Sequence, residues 1–528
     1  MSLSLRLPLC ALAVTISCGS RTGMSLGPFE KPVSECTTDG DCDFLGDLCS
    51  PVACRNGICM PLAPVSCDDG DPCTSDTCDK TTGACGHSPA TSDLDGDGHL
   101  AVLPGKKPGE WGSCGDDCDD TSAAAFPGGT ETCDGIDNDC NGIVDDGAAY
   151  LPTGVDVRVS DPQMTQAFPG GLAQAGADSF LSVYTGQVSD TDSLYLSWLD
   201  TAGRRLGDEQ RFTLVVADAY GGPLVWVGDR YGVTWSDRRD QRAGAANYEV
   251  YFNSMGPGGS KTGPDVRLTD REGFSDNPAM AWTGREFVVA WQDDGMNDAG
   301  TNELYARRIN LDGDPVGNAV KLTSGPSTGD ESPAIAWGGR TLGVAWTRGD
   351  ASTHRIMFRT FDQRLAPASD QVELTSTSIS GVYPSIIWNR SAYVVAFYDP
   401  VSPLRAIYGA VRGEEAEQIV PTRRITSSPR HSRYPTMLAY GDRFLLVWSD
   451  DRDENFGYEL YSRMLDNDLQ PLAAENRLTY AAGESITPMA SFSPDGKVGI
   501  LFRDDRDGSP QVYFTGLACA ATSALPFR

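Results

Sequence analysis

Histidine is scarce in this chain, and the patterns that commonly mark an enzyme are missing. Only 4 histidines occur in 528 residues, and none stands in a Gly-x-Ser-x-Gly or metalloprotease context. The sequence has no glycine-rich phosphate-binding loop either. Carboxylates, by contrast, are so numerous that two of them close together say little about glycoside hydrolysis. We therefore assign no catalytic residue from the sequence.

Positive charge is also in short supply. The chain holds 42 lysines and arginines against 73 acidic residues, a formal net charge of −31. Residues 19–150 carry 25 acidic and 6 basic side chains, whereas residues 151–528 carry 48 and 35. Nucleic-acid binding depends on Lys and Arg to displace the counterions of the phosphates, so this composition argues against a nucleic-acid partner. It favours cations as ligands, above all in the first quarter of the chain.

Long apolar runs are absent beyond the N-terminus, so no transmembrane helix is expected. The start of the chain has the layout of an export signal: Arg6, an apolar run over 7–16, and then Ser17-Cys18-Gly19-Ser20. A small residue before the cysteine resembles the lipobox of bacterial lipoproteins, in which the cysteine is lipidated and the leader, here 1–18, is removed. Thr15 departs from that pattern, because leucine is usual at its position.

The export signal sets the expected compartment. Lipidation at Cys18 would tether the protein to the membrane, at the outer membrane or cell surface of a Gram-negative bacterium. A plain cleaved signal peptide, with secretion, and an uncleaved anchor are the alternatives. In each case the body of the protein lies outside the cytoplasm, where disulfides form. Residues 19–35, rich in Gly, Ser and Pro, are expected to form a flexible tether.

Cysteine is concentrated in one block. Residues 36–90 contain few large apolar side chains, so disulfides must hold this module in place of a hydrophobic core. Zinc is the competing interpretation, but the module has no close Cys-x-x-Cys pair. The positions expected to form disulfides are Cys36, Cys42, Cys49, Cys54, Cys59, Cys67, Cys73, Cys78, Cys85, Cys114, Cys118, Cys133 and Cys140. These thirteen cysteines cannot all pair with one another. If Cys10 is removed with the leader and Cys18 is lipidated, Cys519 is the one cysteine left, so we expect it to tie the C-terminus to the block.

Two acidic loops in residues 91–150 carry the clearest chemistry. Residues 93–98 and 137–142 both fit the opening of a calcium loop, in which alternate side chains turn oxygens toward one centre. Neither is a complete EF-hand, because Pro104 and Ala148 occupy the twelfth position, where a glutamate belongs. The candidate metal ligands are Asp93, Asp95, Asp97, His99, Asp117, Asp119, Asp137, Asp139, Asn141 and Asp145. His99 would contribute its backbone carbonyl.

These loops, with Asp117-Cys118-Asp119-Asp120 and the stretch 126–142, resemble a metal-binding repeat of secreted and surface proteins of Gram-negative bacteria. The family takes its name from a copper-binding surface protein. Asp-Asn-Asp-x-Asn-Gly is also similar to thrombospondin type 3 calcium repeats. The resemblance implies metal binding, and oxygen ligands favour calcium over copper, which prefers imidazole or sulfur. His99 and Trp111 are the residues of interest for copper, and a solvated acidic loop without tightly bound metal is the remaining alternative.

The rest of the chain, residues 151–528, is built from a repeat. The run 278–291 returns closely as 333–346, and looser copies end at Tyr184, Trp235, Phe397, Trp448 and Phe502. Each unit divides into four short strand-like segments, the last marked by a recurring Leu-Thr, which is typical of a propeller blade. We predict an all-β fold, a seven-bladed β-propeller, with six blades as the alternative.

The last unit ends without a Leu-Thr strand. Residues 155–160, ahead of the first unit, have the alternation of a strand. We predict that they form the outer strand of the blade containing 512–514, which would join the two ends of the propeller and leave no open sheet edge.

Aspartate and arginine recur directly after the second strand of several units. Because these segments connect strands two and three, they collect on one face of the ring. One interpretation is a ligand-binding rim, formed by Asp237, Arg239, Asp450, Arg452, Asp504 and Arg506. The other is turn chemistry, with Asp accepting backbone N–H groups and Arg packing on the aromatic ring. The recurrence favours the second interpretation, because functional sites tend to break a repeat.

The repeat is similar to those of sialidase-like bacterial propellers, a resemblance of fold that does not give function. The Asp-box of that superfamily is not reproduced, and residues 493–496 are its nearest fragment. One hypothesis is a non-catalytic surface lipoprotein whose calcium-stabilised, disulfide-rich stalk presents the propeller to a protein or glycan. The other is a secreted glycoside hydrolase or lyase on the propeller. Convergent Arg, Tyr and Glu in a central pocket would favour the enzyme, and an apolar pocket the binding protein.

Overall fold

A computed structural model describes residues 35–521, with short gaps. The gaps are 134–135, 143–147, 215–217, 241–246, 271–272, 295–300, 325–328, 350–353, 377, 402–404, 441–442, 454–456 and 495. The predicted leader with Cys18, and residues 19–34 of the tether, lie outside the described residues. The chain divides into two compact units, one ending at Asp116 and the other beginning at Asp117. In the described part of the chain, no helix is long and apolar enough to cross a membrane.

The first unit is loop-rich and held together by disulfides, as predicted. Its regular elements are a 3-10 helix, Asp39–Leu45, and two hairpins, β1 (Val52–Arg55) with β2 (Ile58–Pro61) and β3 (Thr74–Cys78) with β4 (Cys85–Pro89). Its disulfides are Cys36–Cys54, Cys42–Cys59, Cys49–Cys78, Cys67–Cys85 and Cys73–Cys114. The buried cluster of this unit consists of half-cystines packed with Val52. Covalent bonds thus take the place of a hydrophobic core.

The second unit is a seven-bladed β-propeller, which confirms the predicted fold class. Two strands precede the blades, β5 (Ala148–Pro152) and β6 (Val157–Arg158). The strands of blades 1 to 3 are β7 (Gln166–Gln174), β8 (Ser179–Val188), β9 (Thr191–Asp200), β10 (Gln210–Arg211), β11 (Tyr220–Trp226), β12 (Tyr231–Asp237), β13 (Glu249–Met255), β14 (Val266–Arg267), β15 (Ser275–Trp282), β16 (Phe287–Asp293), β17 (Glu303–Ile309) and β18 (Pro315–Lys321).

Blades 4 to 7 repeat this arrangement. Their strands are β19 (Asp330–Trp337), β20 (Leu342–Gly349), β21 (His354–Phe361), β22 (Val372–Glu373), β23 (Val382–Trp388), β24 (Tyr393–Tyr398), β25 (Ile407–Arg412), β26 (Gln418–Arg424), β27 (Ser432–Tyr440), β28 (Arg443–Asp450), β29 (Glu459–Leu465), β30 (Asn476–Arg477), β31 (Ile486–Phe492), β32 (Val498–Asp504) and β33 (Gln511–Ala521). Neighbouring strands within each blade are antiparallel, and the first strand of each blade lines the central channel.

The ring is closed by the N-terminal strand that the sequence predicted. In β6, Val157 pairs with Phe514 and Arg158 with Tyr513 of β33. Strand β33 then runs on and pairs with β5, which the sequence analysis did not assign to the propeller. A disulfide between Cys133 and Cys519 secures this end of β33, and it is the link between the C-terminus and the cysteine block that we expected.

A hydrogen bond explains why threonine recurs in the Leu-Thr segment of the blades. The threonine Oγ1 accepts a backbone N–H from the third strand of the same blade, for example Thr269 from Val250 at 2.9 Å. The same bond joins Thr213 to Leu194, Thr323 to Leu304, Thr426 to Ile407 and Thr479 to Leu460. The threonine therefore fixes the short outer strand against the blade.

Candidate functional site

The first acidic loop lies in the first unit and is folded around its own carboxylates. Asp93 Oδ1 accepts the N–H of Gly96 at 2.7 Å, and Asp95 Oδ1 accepts that of Asp97 at 3.2 Å. Oδ2 of Asp95 and Oδ2 of Asp97 are shielded from solvent and have no hydrogen-bond partner. One oxygen from each of the three aspartates lies within 4.8 Å of the others. Buried carboxylate oxygens are costly unless compensated, and an oxygen-only set of this kind fits a hard cation such as calcium.

The two residues singled out for copper have other contacts. The backbone N–H of His99 donates to Asp97 Oδ1 at 2.8 Å, and its ring Nδ1 lies 3.1 Å from Asp116 Oδ1. The side chain of Trp111 is 83% exposed, and its carbonyl accepts from Lys106 Nζ.

The second acidic loop lies in the second unit. Asp137 Oδ2 accepts the N–H of Gly142 at 2.7 Å, and Asp137 and Asp139 share the backbone N–H of Asn141 at 3.1 Å each. Glu131 Oε1 accepts the N–H of Asp139 at 2.8 Å. Ligand oxygens of Glu131, Asp137 and Asp139 lie within 4.8 Å of one another. Asp145 lies outside the described residues.

Glu131 is the site residue that the sequence analysis missed. It precedes the loop, so it has no position in the Asp-x-Asp-x-Asn-Gly pattern. The loop lacks its twelfth ligand, and this gap was the signal that a carboxylate had to come from elsewhere.

Asp117 and Asp119, the two predicted ligands between the loops, have side-chain contacts of their own. Asp117 is 1% exposed and accepts the N–H of Asp119 at 2.8 Å. Cys118 and Cys140 lie beside Asp117, but they are bonded to each other and so cannot act as thiolate ligands. Asp119 Oδ1 accepts the hydroxyl of Thr121 at 2.6 Å.

The candidate rim residues form buried braces. Asp450 accepts from Trp448 Nε1 at 3.0 Å and from Arg452 Nε at 2.8 Å, and the Arg452 guanidinium lies 4.2 Å from the ring centroid of Tyr461. The same arrangement joins Asp237 to Arg239, over Tyr251, and Asp504 to Arg506, over Tyr513. The three aspartates are almost fully buried. This geometry is the turn chemistry that the recurrence of the motif favoured.

The pKa of Asp450 follows from this brace. Burial opposes its ionisation, but hydrogen bonds from Arg452 and Trp448 and the Arg452 charge outweigh burial and lower the pKa. The carboxylate is therefore ionised and engaged inside the blade.

The central channel is apolar. Its cavity is about 550 Å³, and the first strands of all seven blades contribute to its wall. Prolines recur there, with glycine, alanine and aliphatic side chains, two tyrosines and several small polar side chains between them. The prolines include Pro278, Pro333, Pro384, Pro435 and Pro488, and the tyrosines are Tyr383 and Tyr434. Among the described residues that line the channel, none is Asp, Glu, His, Lys or Arg. The residue before each of these prolines has positive φ, as in Asn277 at 49°, where the strand pairing shifts register.

One position at which the blades differ lies at the end of the channel, on the face that carries the connections between strands two and three. In each blade it belongs to the first strand and pairs with the residue that follows the recurring aromatic of the second strand. In blade 2, for example, Tyr220 pairs with Ser236, which follows Trp235. We call this position of the first strand the mouth position, and its occupants in blades 1 to 7 are Phe168, Tyr220, Asp276, Glu331, Val382, Arg433 and Ile486. Every blade thus has a different residue type there.

Two acidic residues occupy this position in neighbouring blades. Burial raises the pKa of the Asp276 carboxyl, a hydrogen bond from Gln292 opposes the change, and the nearby charges of Asp294 and Glu331 add to it. Asp276 is therefore more readily protonated than an exposed aspartate.

Comparisons of the sequence with known families bear on the N-terminal part. Residues 117–146 match the family described as "Putative metal-binding motif", and residues 66–90 match a "Dictyostelium (slime mold) repeat". Protein psiR of Dictyostelium discoideum is 35% identical over 75 residues, which are 14% of this chain and 7% of that protein. The chain therefore spans only a small part of this relative.

Solved structures share the propeller architecture at low similarity. A protein of unknown function from Dyadobacter fermentans is 10% identical, with a TM-score of 0.46 over 71% of this chain and 100% of its own. An alpha-L-arabinanase of Penicillium chrysogenum is 10% identical, with a TM-score of 0.40 over 60% of this chain and 99% of its own. A Trypanosoma rangeli sialidase mutant is 9% identical, with a TM-score of 0.39 over 70% of this chain and 60% of its own. Similarity at this level says nothing about activity.

Proposed function

We propose that this protein is a non-catalytic binding protein of the cell surface. A disulfide-rich, calcium-stabilised N-terminal part presents the propeller, and the propeller binds a glycan or a protein. The observation that carries this proposal is the channel wall, in which none of the described residues is Asp, Glu, His, Lys or Arg. A hydrolase would need such groups within hydrogen-bond reach of its substrate.

The mouth position argues against a sialidase in particular. A sialidase binds the carboxylate of its substrate with three arginines, whereas only one of the seven mouth residues, Arg433, is an arginine. Its guanidinium lies 3.5 Å from the ring centroid of Tyr458, so it is already engaged in a cation–π contact.

Calcium is the proposed ligand of both acidic loops. The unpartnered oxygens of Asp95 and Asp97 support a cation in the first loop, and the group of Glu131, Asp137 and Asp139 supports one in the second. In both loops all donors are oxygen, which suits calcium and not copper. The bound ion would offset repulsion among the carboxylates and order the loops.

Membrane attachment through a lipidated Cys18 is part of the proposal, with the outer membrane or cell surface of a Gram-negative bacterium as the location. Its support is the Ser-Cys-Gly-Ser sequence at the end of the apolar run. Metabolic labelling with an alkyne fatty acid tests it: labelling lost on Cys18→Ala is the expected result, and equal labelling of both chains would contradict it.

The binding function is tested with the exported full-length protein on glycan and protein-partner arrays, in calcium and in chelator. We expect saturable binding to one ligand class, weakened by chelator where loop order contributes. Turnover of a glycan during the assay would contradict the non-catalytic proposal.

A glycoside hydrolase is the second candidate, because Asp276 and Glu331 occupy the mouth position of neighbouring blades. Glycosidases use two carboxyl groups, one of them with a raised pKa. Hydrolysis of chromogenic glycosides that is abolished by both Asp276→Asn and Glu331→Gln would establish this function. Absence of hydrolysis in the wild-type protein would reject it.

A further inference from the structure

A second cavity is lined mainly by residues of blades 2 and 3, with Pro169 and Gly170 of blade 1 and Met489 of blade 7. Its volume is about 420 Å³. The side chains that give it chemical character are Tyr220, Ser236, Tyr248, Asp276 and Asn277, and the remainder is proline, glycine and methionine. This size and composition, an aromatic and apolar wall with a few polar groups, are those of a small-ligand site.

Two aromatic rings, those of Tyr220 and Tyr248, line this cavity. Their centroids are 5.8 Å apart, and Phe274, which is outside the lining, stacks on Tyr248 with centroids 5.9 Å apart and an interplanar angle of 29°. Tyr220 is 39% exposed. A large side chain that remains this exposed at a concave site offers a flat apolar face to a ligand.

The surrounding groups hold these rings rigid. The Tyr220 hydroxyl donates to Asp192, and Arg238 lies 5.4 Å from the ring centroid of Tyr248 while it is paired with Asp218 at 2.8 Å. The backbone N–H of Phe274 donates to Asp294 at 2.8 Å. A preorganised aromatic surface binds with little loss of side-chain entropy.

Blade 6 offers a direct contrast. Its Tyr458 precedes β29 as Tyr248 precedes β13, but Arg433 at the mouth position covers the Tyr458 ring. In blade 2 an arginine, Arg238, also lies over the corresponding Tyr248 ring, but the mouth residue is Tyr220, whose exposed ring faces the cavity. The mouth position of blade 2 thus supplies an exposed aromatic ring where blade 6 has an arginine that is already engaged.

We propose that this cavity binds a neutral oligosaccharide. The C–H face of a sugar ring would stack on the exposed ring of Tyr220, and its hydroxyls would hydrogen bond with Asp276 and Asn277. The proposal rests on the proposed function and names its ligand class.

The charges at the cavity select among ligands. The cavity lining contains one carboxyl group and no basic side chain, so it offers nothing to the carboxylate of a sialic or uronic acid. The Asp276 carboxyl accepts hydrogen bonds, and the Asn277 amide both donates and accepts them, which suits the hydroxyl groups of a sugar.

The test is an array of neutral gluco-, galacto-, manno-, xylo- and arabino-oligosaccharides, with sialylated and uronic-acid glycans beside them, probed with the full-length protein. The variants are Tyr220→Ala and Asp276→Asn. Tyr480→Ala is the matched control, because Tyr480 is a more exposed tyrosine, 66%, that lines neither cavity. Thermal melting verifies that each variant is folded, and Tyr220→Leu replaces Tyr220→Ala if that variant is not.

We expect binding to a neutral oligosaccharide, weakened about 3- to 10-fold by loss of the Tyr220 ring, weakened by Asp276→Asn, and unchanged in Tyr480→Ala. Equal binding by all variants would overturn this site and leave the binding function standing. Binding to acidic glycans alone, or to a protein and no glycan, would overturn the ligand class. Failure of the wild-type protein on both arrays would overturn the binding function itself.

Discussion

Cys133 and Cys519 are bonded to each other although 386 residues separate them in the sequence, and their Cα atoms are 5.6 Å apart. The bond lies where the end of β33 pairs with β5. It therefore joins the segment before the first blade to the last strand of the last blade.

Removing this disulfide is expected to destabilise the propeller. Cys519→Ser should lower its free energy of unfolding by about 2–5 kcal/mol, because the unfolded chain gains the freedom that the closed loop denied it. Urea unfolding monitored by tryptophan fluorescence measures the change. The double variant Cys133→Ser/Cys519→Ser is the control for a stray thiol and should match the single variant. An unchanged midpoint would mean that strand pairing alone closes the ring.

The Asp450 brace is expected to contribute to stability, not to ligand binding. Asp450→Asn should cost about 1.5–3 kcal/mol, because it removes one of the two carboxylates bonded to the Arg452 guanidinium and leaves Glu475, at 2.6 Å, as the other. Arg355→Ala is the comparison, since it breaks an exposed pair with Glu373, where about 0–1 kcal/mol is expected. Ligand affinity that falls without loss of stability would instead identify Asp450 as part of a ligand rim.

The same brace predicts an acid dependence. The pKa of Asp450 is lowered in the folded state, so its stabilising contribution is present above its unfolded pKa of about 3.9. The contribution is lost as the pH falls through the folded pKa. The stability difference between the wild-type protein and Asp450→Asn should therefore shrink on acidification from pH 5. A difference that stays constant to pH 2 would contradict the ion pair.

Calcium is expected to raise the thermal unfolding midpoint. At a free concentration 100 times Kd, one site adds about 2.7 kcal/mol. Asp95→Asn and Asp137→Asn should each reduce the shift, since they remove a carboxylate from one loop, whereas Asp119→Asn should leave it intact. Calorimetric titration of the chelator-treated protein gives the stoichiometry. A midpoint shift with copper and none with calcium would reject the choice of metal.

His87 supplies a second pH-dependent feature, in the first unit. The pKa of His87 is raised, first by its hydrogen bond with Asp76 and then by the charge of Asp69, and Nδ1 lies 2.6 Å from Asp76 Oδ1. Its contribution is complete below the unfolded pKa of about 6.5 and is lost as the pH rises through the folded pKa. An NMR titration should give a lower pKa in Asp76→Asn. An identical pKa in both proteins would exclude the pair.

Two sequence features, the repeat and the odd number of cysteines, were enough to predict much of the fold. The alternation of residues 155–160 and the missing Leu-Thr after Phe514 were enough to predict the closing strand, because a propeller blade has a fixed number of strands. The odd number of cysteines likewise predicted a partner for Cys519.

Other features depend on tertiary contacts that leave no local pattern. Strand β5 has no partner nearby in sequence, so its pairing with β33 follows only from the folded ring. Glu131 reaches the second loop from outside the calcium pattern. Tyr220 and Asp276 become equivalent only when the register between first and second strands is known.

The mouth position has a consequence for how this protein can change. Its seven occupants differ while the buried tryptophans, the Asp–Arg braces and the Leu-Thr closures recur around them. Val382 and Ile486 are buried there, whereas Tyr220 and Glu331 are exposed, so the exposed occupants can change without disturbing the packing of the blades. A library varied only at Tyr220 and Glu331 should yield proteins with new ligand preferences and nearly constant thermal stability.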